Sequence, residues 1–312
     1  MAGKPSASAD KAKRAAALPP AAIPDAKSGA NPVDLAIICG YGQFPAEVAA
    51  HAAAAGHRPY LIGIEGEAGD EISAFAHERM AWGQLGRLFR RLDELGIRRV
   101  AFAGGVHRRP EFRDFKLDWG GVKALPRALA FMLGGDNTVL SGTIKLFETR
   151  GIEVVGAHQI APGLLAPSGR IGALAPGTKD IAGIRQAFLA CKALGAFDIG
   201  QAAVAEGGRV VAVEGLEGTD EMLLRIARLR AVGKLSRKGT NGVLVKAMKP
   251  GQDMRADLPA IGPKTVENVA AAGLAGVALE AGHTLILERQ VTTAAANRLK
   301  VFLHGIRPQE FA

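Results

Sequence analysis

Val33-Asp34-Leu35-Ala36-Ile37-Ile38-Cys39-Gly40-Tyr41-Gly42-Gln43-Phe44-Pro45 is the stretch that decides the fold class. The run Val33 to Cys39, apolar but for Asp34 and closed by Gly40, predicts a strand buried on both faces. Pro45 near the start and Gly56 at the end mark a helix over the residues between them. Outward from there, strands are predicted at Arg58 to Ile64, Arg99 to Ala103 and Ile152 to Gly156. Helices are predicted where Leu85, Leu88, Phe89, Leu92 and Leu95 recur before Gly96, and over Val122 to Leu133 and Asn137 to Arg150. Strands alternating with helices give an α/β class: an N-terminal Rossmann-like parallel sheet with helices on both faces.

From about Pro162 to Gly177 the texture changes to Pro, Gly and Ala with few charges. A linker is therefore placed at 166–176, between an N-terminal domain at 33–165 and a C-terminal mixed α+β domain at 177–307. In the second half a helix is predicted over Asp180 to Leu194. Gln201 to Glu206 and Arg209 to Glu214 flank Gly207-Gly208 as a β-hairpin. A capped helix is predicted from Thr219, a strand over Val243 to Ala247, a helix over Pro263 to Gly273, and strands at Val277 to Glu280 and Thr284 to Leu287.

The 312 residues include 40 glycines and only 16 aromatics, with 48% hydrophobic and 22% charged residues, which suffices for folded cores. Residues 1–32, a mixture of Ala, Pro, Ser and Lys, read as a disordered tail. That tail carries +3 of the net +9, leaving a mild +6 on the rest. With no aromatic and basic interleaving, nucleic acid is not expected as a partner. Two cysteines, Cys39 and Cys191, cannot build a disulfide framework, and a reducing, cytoplasmic compartment fits. No apolar run is long enough for a membrane helix.

Chemistry concentrates at strand ends. Gly40-Tyr41-Gly42-Gln43 joins a strand to a helix N-terminus and reads either as a tight turn or as a phosphate cradle. It is half of a dinucleotide fingerprint, because Pro45 stands where the third glycine belongs. Gly104-Gly105-Val106-His107-Arg108-Arg109 follows another strand, and its arginines suit phosphate as well as a solvated loop. Lys246, Lys249, Gln252 and Asp253 converge on one strand-to-turn segment, where lysines can neutralise phosphate and a carboxylate can hold Mg²⁺ or orient water. Glu214, Glu217 and Asp220 form an acidic cluster at another turn, open also to a plain capping role for Asp220. No nucleophile elbow is present, and nothing beside either cysteine would activate it.

Several segments together resemble the LpxI-type UDP-2,3-diacylglucosamine pyrophosphatases: Gln84-Leu85-Gly86-Arg87-Leu88, Ala103-Gly104-Gly105-Val106, Val155-Gly156-Ala157-His158, Asp198-Ile199-Gly200-Gln201, Glu217-Gly218-Thr219-Asp220, Gly242 to Lys246, Lys249-Pro250-Gly251-Gln252-Asp253 and Asp257-Leu258-Pro259. The resemblance runs in order from about Val33 to Arg307. It implies an enzyme of lipid A biosynthesis in the cytoplasm of a Gram-negative bacterium. The implied reaction is Mg²⁺-dependent hydrolysis of UDP-2,3-diacylglucosamine to 2,3-diacylglucosamine 1-phosphate (lipid X) and UMP, with the substrate held in a cleft between two domains. On that basis Asp253, Asp220 and Lys246 are expected as catalytic groups, and Asp253, Asp220 and Glu214 as metal ligands. Gly40, Tyr41, Gly42, Gln43, Gly104, Gly105, His107, Arg108, Lys249, Gln252 and Thr219 are expected to bind substrate, with Leu164, Leu165 and Leu174 along the acyl chains. An amphiphilic substrate suits a peripheral contact with the inner membrane, and a homodimer is an open expectation. A nicotinamide-dependent oxidoreductase and a non-catalytic carrier of a nucleotide sugar or lipid are the alternatives.

Overall fold

The computed structural model describes residues 33–106, 114–116, 118, 136–236, 239, 241–255 and 257–311. The predicted helix Val122 to Leu133 lies outside these residues, as do His107 and Arg108. In chain order the first half gives β1 (Leu35–Cys39), α1 (Phe44–Ala54), β2 (Pro59–Ile64), β3 (His77–Met80), α2 (Leu85–Glu94), β4 (Arg99–Ala103), α3 (Asp136–Glu148), β5 (Glu153–Val154) and the single turn α4 (Ala157–Ile160). The second half gives β6 (Gly169–Arg170), α5 (Thr178–Gly195), β7 (Ala202–Glu206), β8 (Arg209–Val213), α6 (Gly218–Ala231), β9 (Val243–Lys246), β10 (Ala260–Ile261), α7 (Pro263–Ala271), β11 (Gly276–Glu280), β12 (Leu285–Ile286), α8 (Arg289–Leu299) and β13 (Phe302–Ile306).

The first sheet has the order β3-β2-β1-β4-β5, with parallel pairing of β1 with β2, β2 with β3 and β4 with β5. This is the expected parallel α/β architecture. Ile37 and Leu61 are fully buried in adjacent strands, which is why those strands are near-continuous apolar runs. The strand that periodicity does not disclose is β3. Of His77-Glu78-Arg79-Met80 only Met80 is buried, because β3 is an edge strand. Its Glu78 accepts hydrogen bonds from Arg87 and Arg91 of α2, at 3.1 Å each. Polar side chains there answer to a neighbouring helix and leave no alternation to read.

The second sheet is mixed, in the order β6-β13-β11-β9-β7-β8. The strands β9, β11 and β13 are parallel, whereas β7, β8 and β6 each run antiparallel to a neighbour. Period-two alternation sends Val243 and Val245 of β9 to one face, where they meet Ile184, Ala187 and Phe188 of α5. Leu244 points the other way, into a core with Met222, Leu223 and Ile226 of α6, Val266 and Val269 of α7, and Ala295 and Ala296 of α8. The hairpin between β7 and β8 forms as predicted. Gly207 and Gly208 have φ of 60° and 75°, the left-handed pair that a tight hairpin turn needs.

Two expectations change. Residues 166–176 contain β6, which pairs with β13 through His304 and Arg170. The helix expected to be capped by Thr219 begins at Gly218, and its N-cap residue Glu217 makes no side-chain capping bond. The Thr219 hydroxyl is held elsewhere, as described below. By compactness, the described residues up to 97 form one unit with those of 103–118, and residues 98–102 form another with those from 119 onward. Among the described residues no helix is long and apolar enough to cross a membrane.

At the carboxyl end of β1 the chain meets the end of β4. The Gly40 amide donates to Ala103 O at 2.9 Å, and Tyr41 and Gly105 exchange amide–carbonyl bonds of 2.8 and 3.1 Å. A Cβ on Gly40 would lie 2.0 Å from Gly105 O, so glycine is required by the closeness of two backbones. Gly40→Ala is expected to cost about 1–3 kcal/mol. The check is a lowered thermal midpoint by circular dichroism, with Gly66→Ala, at an open left-handed turn, as the milder comparison.

Candidate active site

Among the described residues, four of the six buried polar side chains, Lys246, Lys249, Gln252 and Glu280, lie at or just past the carboxyl ends of the parallel strands β9 and β11 in the second sheet. Lys246 ends β9 and is only 8% exposed. An ammonium so buried needs partners. It donates to the Thr219 hydroxyl at 2.9 Å and to Ala260 O at 3.1 Å. Thr219 in turn donates to Glu214 Oε1 at 2.6 Å, and Glu214 Oε2 accepts the Gln201 amide at 2.7 Å. Gly200 makes this approach possible: its φ is +56°, and a Cβ there would lie 2.2 Å from Glu214 O.

The chain of contacts continues across the site. Gln201 Nε2 and Gln252 Nε2 both donate to Asp257 Oδ2, at 2.8 and 2.7 Å. Gln252 Oε1 accepts the Lys249 amide at 3.1 Å, and Lys249 Nζ donates to Asp198 Oδ1 at 2.6 Å. One connected polar network therefore links both lysines of the predicted segment to the hairpin and to the first turn of α6. Burial alone would raise the Glu214 pKa, but the Lys246 charge, the Thr219 hydroxyl and the Gln201 amide outweigh it and hold the carboxyl below its ordinary value.

Asp253 stands in a second arrangement. Both its oxygens are engaged by Arg255, with Nε to Oδ1 at 3.0 Å and Nη2 to Oδ2 at 2.7 Å, and Arg255 Nη1 reaches Glu148 of α3 at 2.8 Å. The Arg255 guanidinium keeps Asp253 ionised to lower pH than a free carboxyl. His158 of α4 faces this group; burial lowers its pKa, against a hydrogen bond with the Met254 backbone and the Asp253 charge. Its Nδ1 is buried with no hydrogen-bond partner among the described residues.

The structure thus brings Lys246, Lys249, Gln252, Thr219 and Glu214 into one network. It does not gather Asp253, Asp220 and Glu214 as a ligand set, and among the described residues no three His, Cys, Asp or Glu side chains are grouped to hold a metal ion. Asp220 is exposed, with Oδ1 accepting from Asn268 of α7 at 2.8 Å. Gly40, Tyr41, Gly104 and Gly105 form the paired loops of the first unit, and Gly42 and Gln43 lead into α1. Leu164 is buried, Leu165 bridges to Leu285, and Leu174 is exposed. Burial pushes the thiols of Cys39 and Cys191 up to about 12. Sequence reasoning does not single out Asp198, Gln201 or Asp257 as site residues. The available signal is Asp198-Ile199-Gly200-Gln201, where a glycine sits beside polar residues just ahead of a strand.

Fold and site define a two-part α/β protein with a lysine and carboxylate network at the carboxyl ends of its C-terminal parallel strands. Residues 34–164 match the family model of the LpxI N-terminal domain, and residues 167–304 match that of the LpxI C-terminal domain. The chain is 38% identical over 276 residues to the UDP-2,3-diacylglucosamine pyrophosphatase LpxI of Caulobacter vibrioides, covering 88% of this chain and 98% of that protein. The chain belongs to the LpxI family.

Removing the Glu214 charge tests the network. Glu214→Gln is expected to lower stability by about 1–3 kcal/mol at neutral pH. A lowered folded-state pKa stabilises fully above the unfolded value, about 4.3 for Glu, and the contribution is lost as pH falls through the folded value. Thermal midpoints of wild type and variant should differ by a constant amount from pH 8 to about 5 and converge below that; a gap that widens in acid would contradict the assignment.

Proposed function

We propose that this chain hydrolyses the diphosphate of UDP-2,3-diacylglucosamine, releasing UMP and 2,3-diacylglucosamine 1-phosphate. The observation that carries the proposal is the family match across both halves, together with a 38% identical relative of that activity covered over 98% of its length. In this reading the enzyme works in the cytoplasm, with peripheral membrane contact supplied by its amphiphilic substrate.

The chemistry is attack of water on one phosphorus of the diphosphate as the bond from that same phosphorus to the bridging oxygen breaks. The bridging oxygen leaves with the other phosphate, the water's protons pass to solvent, and UMP and 2,3-diacylglucosamine 1-phosphate result. Lys246 and Lys249 are nearly buried and fixed by their partners, so they stabilise charge developing on the diphosphate without reorganising. Asp253, kept ionised by Arg255, accepts a hydrogen bond from the attacking water. No covalent intermediate is required. A Mg²⁺ requirement is part of the proposal: the ion would polarise a phosphoryl oxygen. Asp220 and Glu214 are committed to Asn268 and to the Lys246 network and do not fit as its ligands. Asp253 is likewise engaged through both oxygens by Arg255, so it would serve as one ligand at most, through a lone pair that contact leaves, with phosphate and water completing the shell of an ion that takes one or two carboxylates.

Release of UMP from UDP-2,3-diacylglucosamine, with Mg²⁺ or with EDTA, is the measurement. Wild type should turn over only with the metal, and Asp253→Ala should be slower by about 100-fold or more while remaining folded. Near-normal turnover by the folded variant removes Asp253 from the mechanism, and indifference to EDTA removes the metal. Binding of the substrate by wild type without UMP release would mark a carrier instead.

Lys246→Met should lower turnover by about 10- to 100-fold. If only the KM rises, Lys246 binds the ground state and does not act in the transition state.

A further inference from the structure

We propose that Lys192 and Glu280 are positioning residues for the segment Met248 to Asp253, acting through the Met248 peptide group; the inference rests on the reading above. Lys192 lies in the last turn of α5, and Glu280 is the last residue of β11 with 3% exposure. Lys192 Nζ donates to Glu280 Oε1 and Oε2 at 2.8 and 2.7 Å, and to Met248 O at 2.8 Å. Glu280 Oε2 also accepts the Met248 amide at 2.9 Å. One ion pair therefore grips both the N–H and the C=O of a single residue.

The same end of α5 touches the next two residues. Asp198, just past the helix and in the left-handed region at φ 61°, binds the Lys249 ammonium. Gly195 lies so close beneath that a Cβ would sit 3.2 Å from Lys249 Cα and 3.0 Å from Pro250 Cδ. Met248, Lys249 and Pro250 are thus held in succession by residues 192, 198 and 195. Lys249 then fixes Gln252 through its amide.

Stability does not account for the ion pair. Desolvating two charges costs about as much as their attraction returns, and apolar replacements of similar volume are often neutral or stabilising. Apolar side chains cannot, however, hold a peptide group from both sides. Fixing Met248 matters because the lysine beside it acts on the diphosphate, and a misplacement of about 1 Å at a reacting centre can lower a rate about 100-fold.

The experiment compares Lys192→Met/Glu280→Leu with wild type in the full-length protein. Thermal midpoint, kcat and KM for UMP release are measured, each also in a Lys249→Met background. The expected result is a thermal midpoint within a few degrees of wild type, KM changed less than about threefold, kcat lowered about 10- to 100-fold, and a much smaller kcat loss once Lys249 is already Met. Unchanged kcat, or a loss just as large in the Lys249→Met background, would overturn the assignment. Should the double variant not fold, Glu280→Gln with hydrogen exchange of the peptide spanning 247–253 decides: faster exchange confined to that peptide supports the clamp, and unaltered protection refutes it. Wild type releasing no UMP would count against the proposed activity, a result separate from all of these.

Discussion

Lys246 ends a central strand with its ammonium almost out of water, and the second half of the molecule is arranged around that constraint. A buried cation is stable only with oxygen partners at hydrogen-bond distance. Thr219, the first turn of α6 and Glu214 supply or support those partners, and the β7–β8 hairpin sets where Glu214 lies. The hairpin turn, the left-handed Gly200 and the start of α6 are consequences of one requirement: the end of β9 must be electrostatically satisfied from outside its own strand.

The same logic explains why the site lies at the carboxyl edge of the parallel strands. Strands β9 and β11 leave the sheet side by side, with Leu279 in register with Lys246, so Lys246 and Glu280 emerge at the same edge. Each lysine of the site is paired with resident carboxylate, hydroxyl or carbonyl groups. The cations are therefore fixed before any anion arrives, which favours stabilisation of developing charge over simple capture. Asp253 is separately locked by Arg255, so its ionisation is set by a local fork of hydrogen bonds.

Much of the fold is legible in the chain because burial writes a pattern. The strands β1, β2, β9 and β11 are buried and largely apolar, β9 and β11 with helices against both faces, and Gly207-Gly208 names its own turn by the φ values it must adopt. The edge strand β3, the two-residue strands β6 and β10, and the final α8 and β13 are not read. Edge and very short strands answer to neighbours distant in sequence, and carry too few alternating positions to declare themselves. Thr219 shows the same limit at one residue. Its position ahead of Asp220 and Glu221 suggests a cap, yet its hydroxyl is drawn to Glu214 and Lys246.

For the site, the sequence by itself determined the segment, Lys246 to Asp253, and the kinds of group it carries, because a strand running into a Pro-Gly turn presents them together. Family membership was likewise legible, since the motifs occur in order along nearly the whole chain. Only the tertiary structure decided which groups act together. It brought Gln201, Asp198, Lys192 and Glu280 to that segment from other elements, and it left Asp220 at the surface beside Asn268. The physical reason is that hydrogen bonds and charges act over a few ångströms in space, and spacing along a chain fixes such distances only within one turn or one strand.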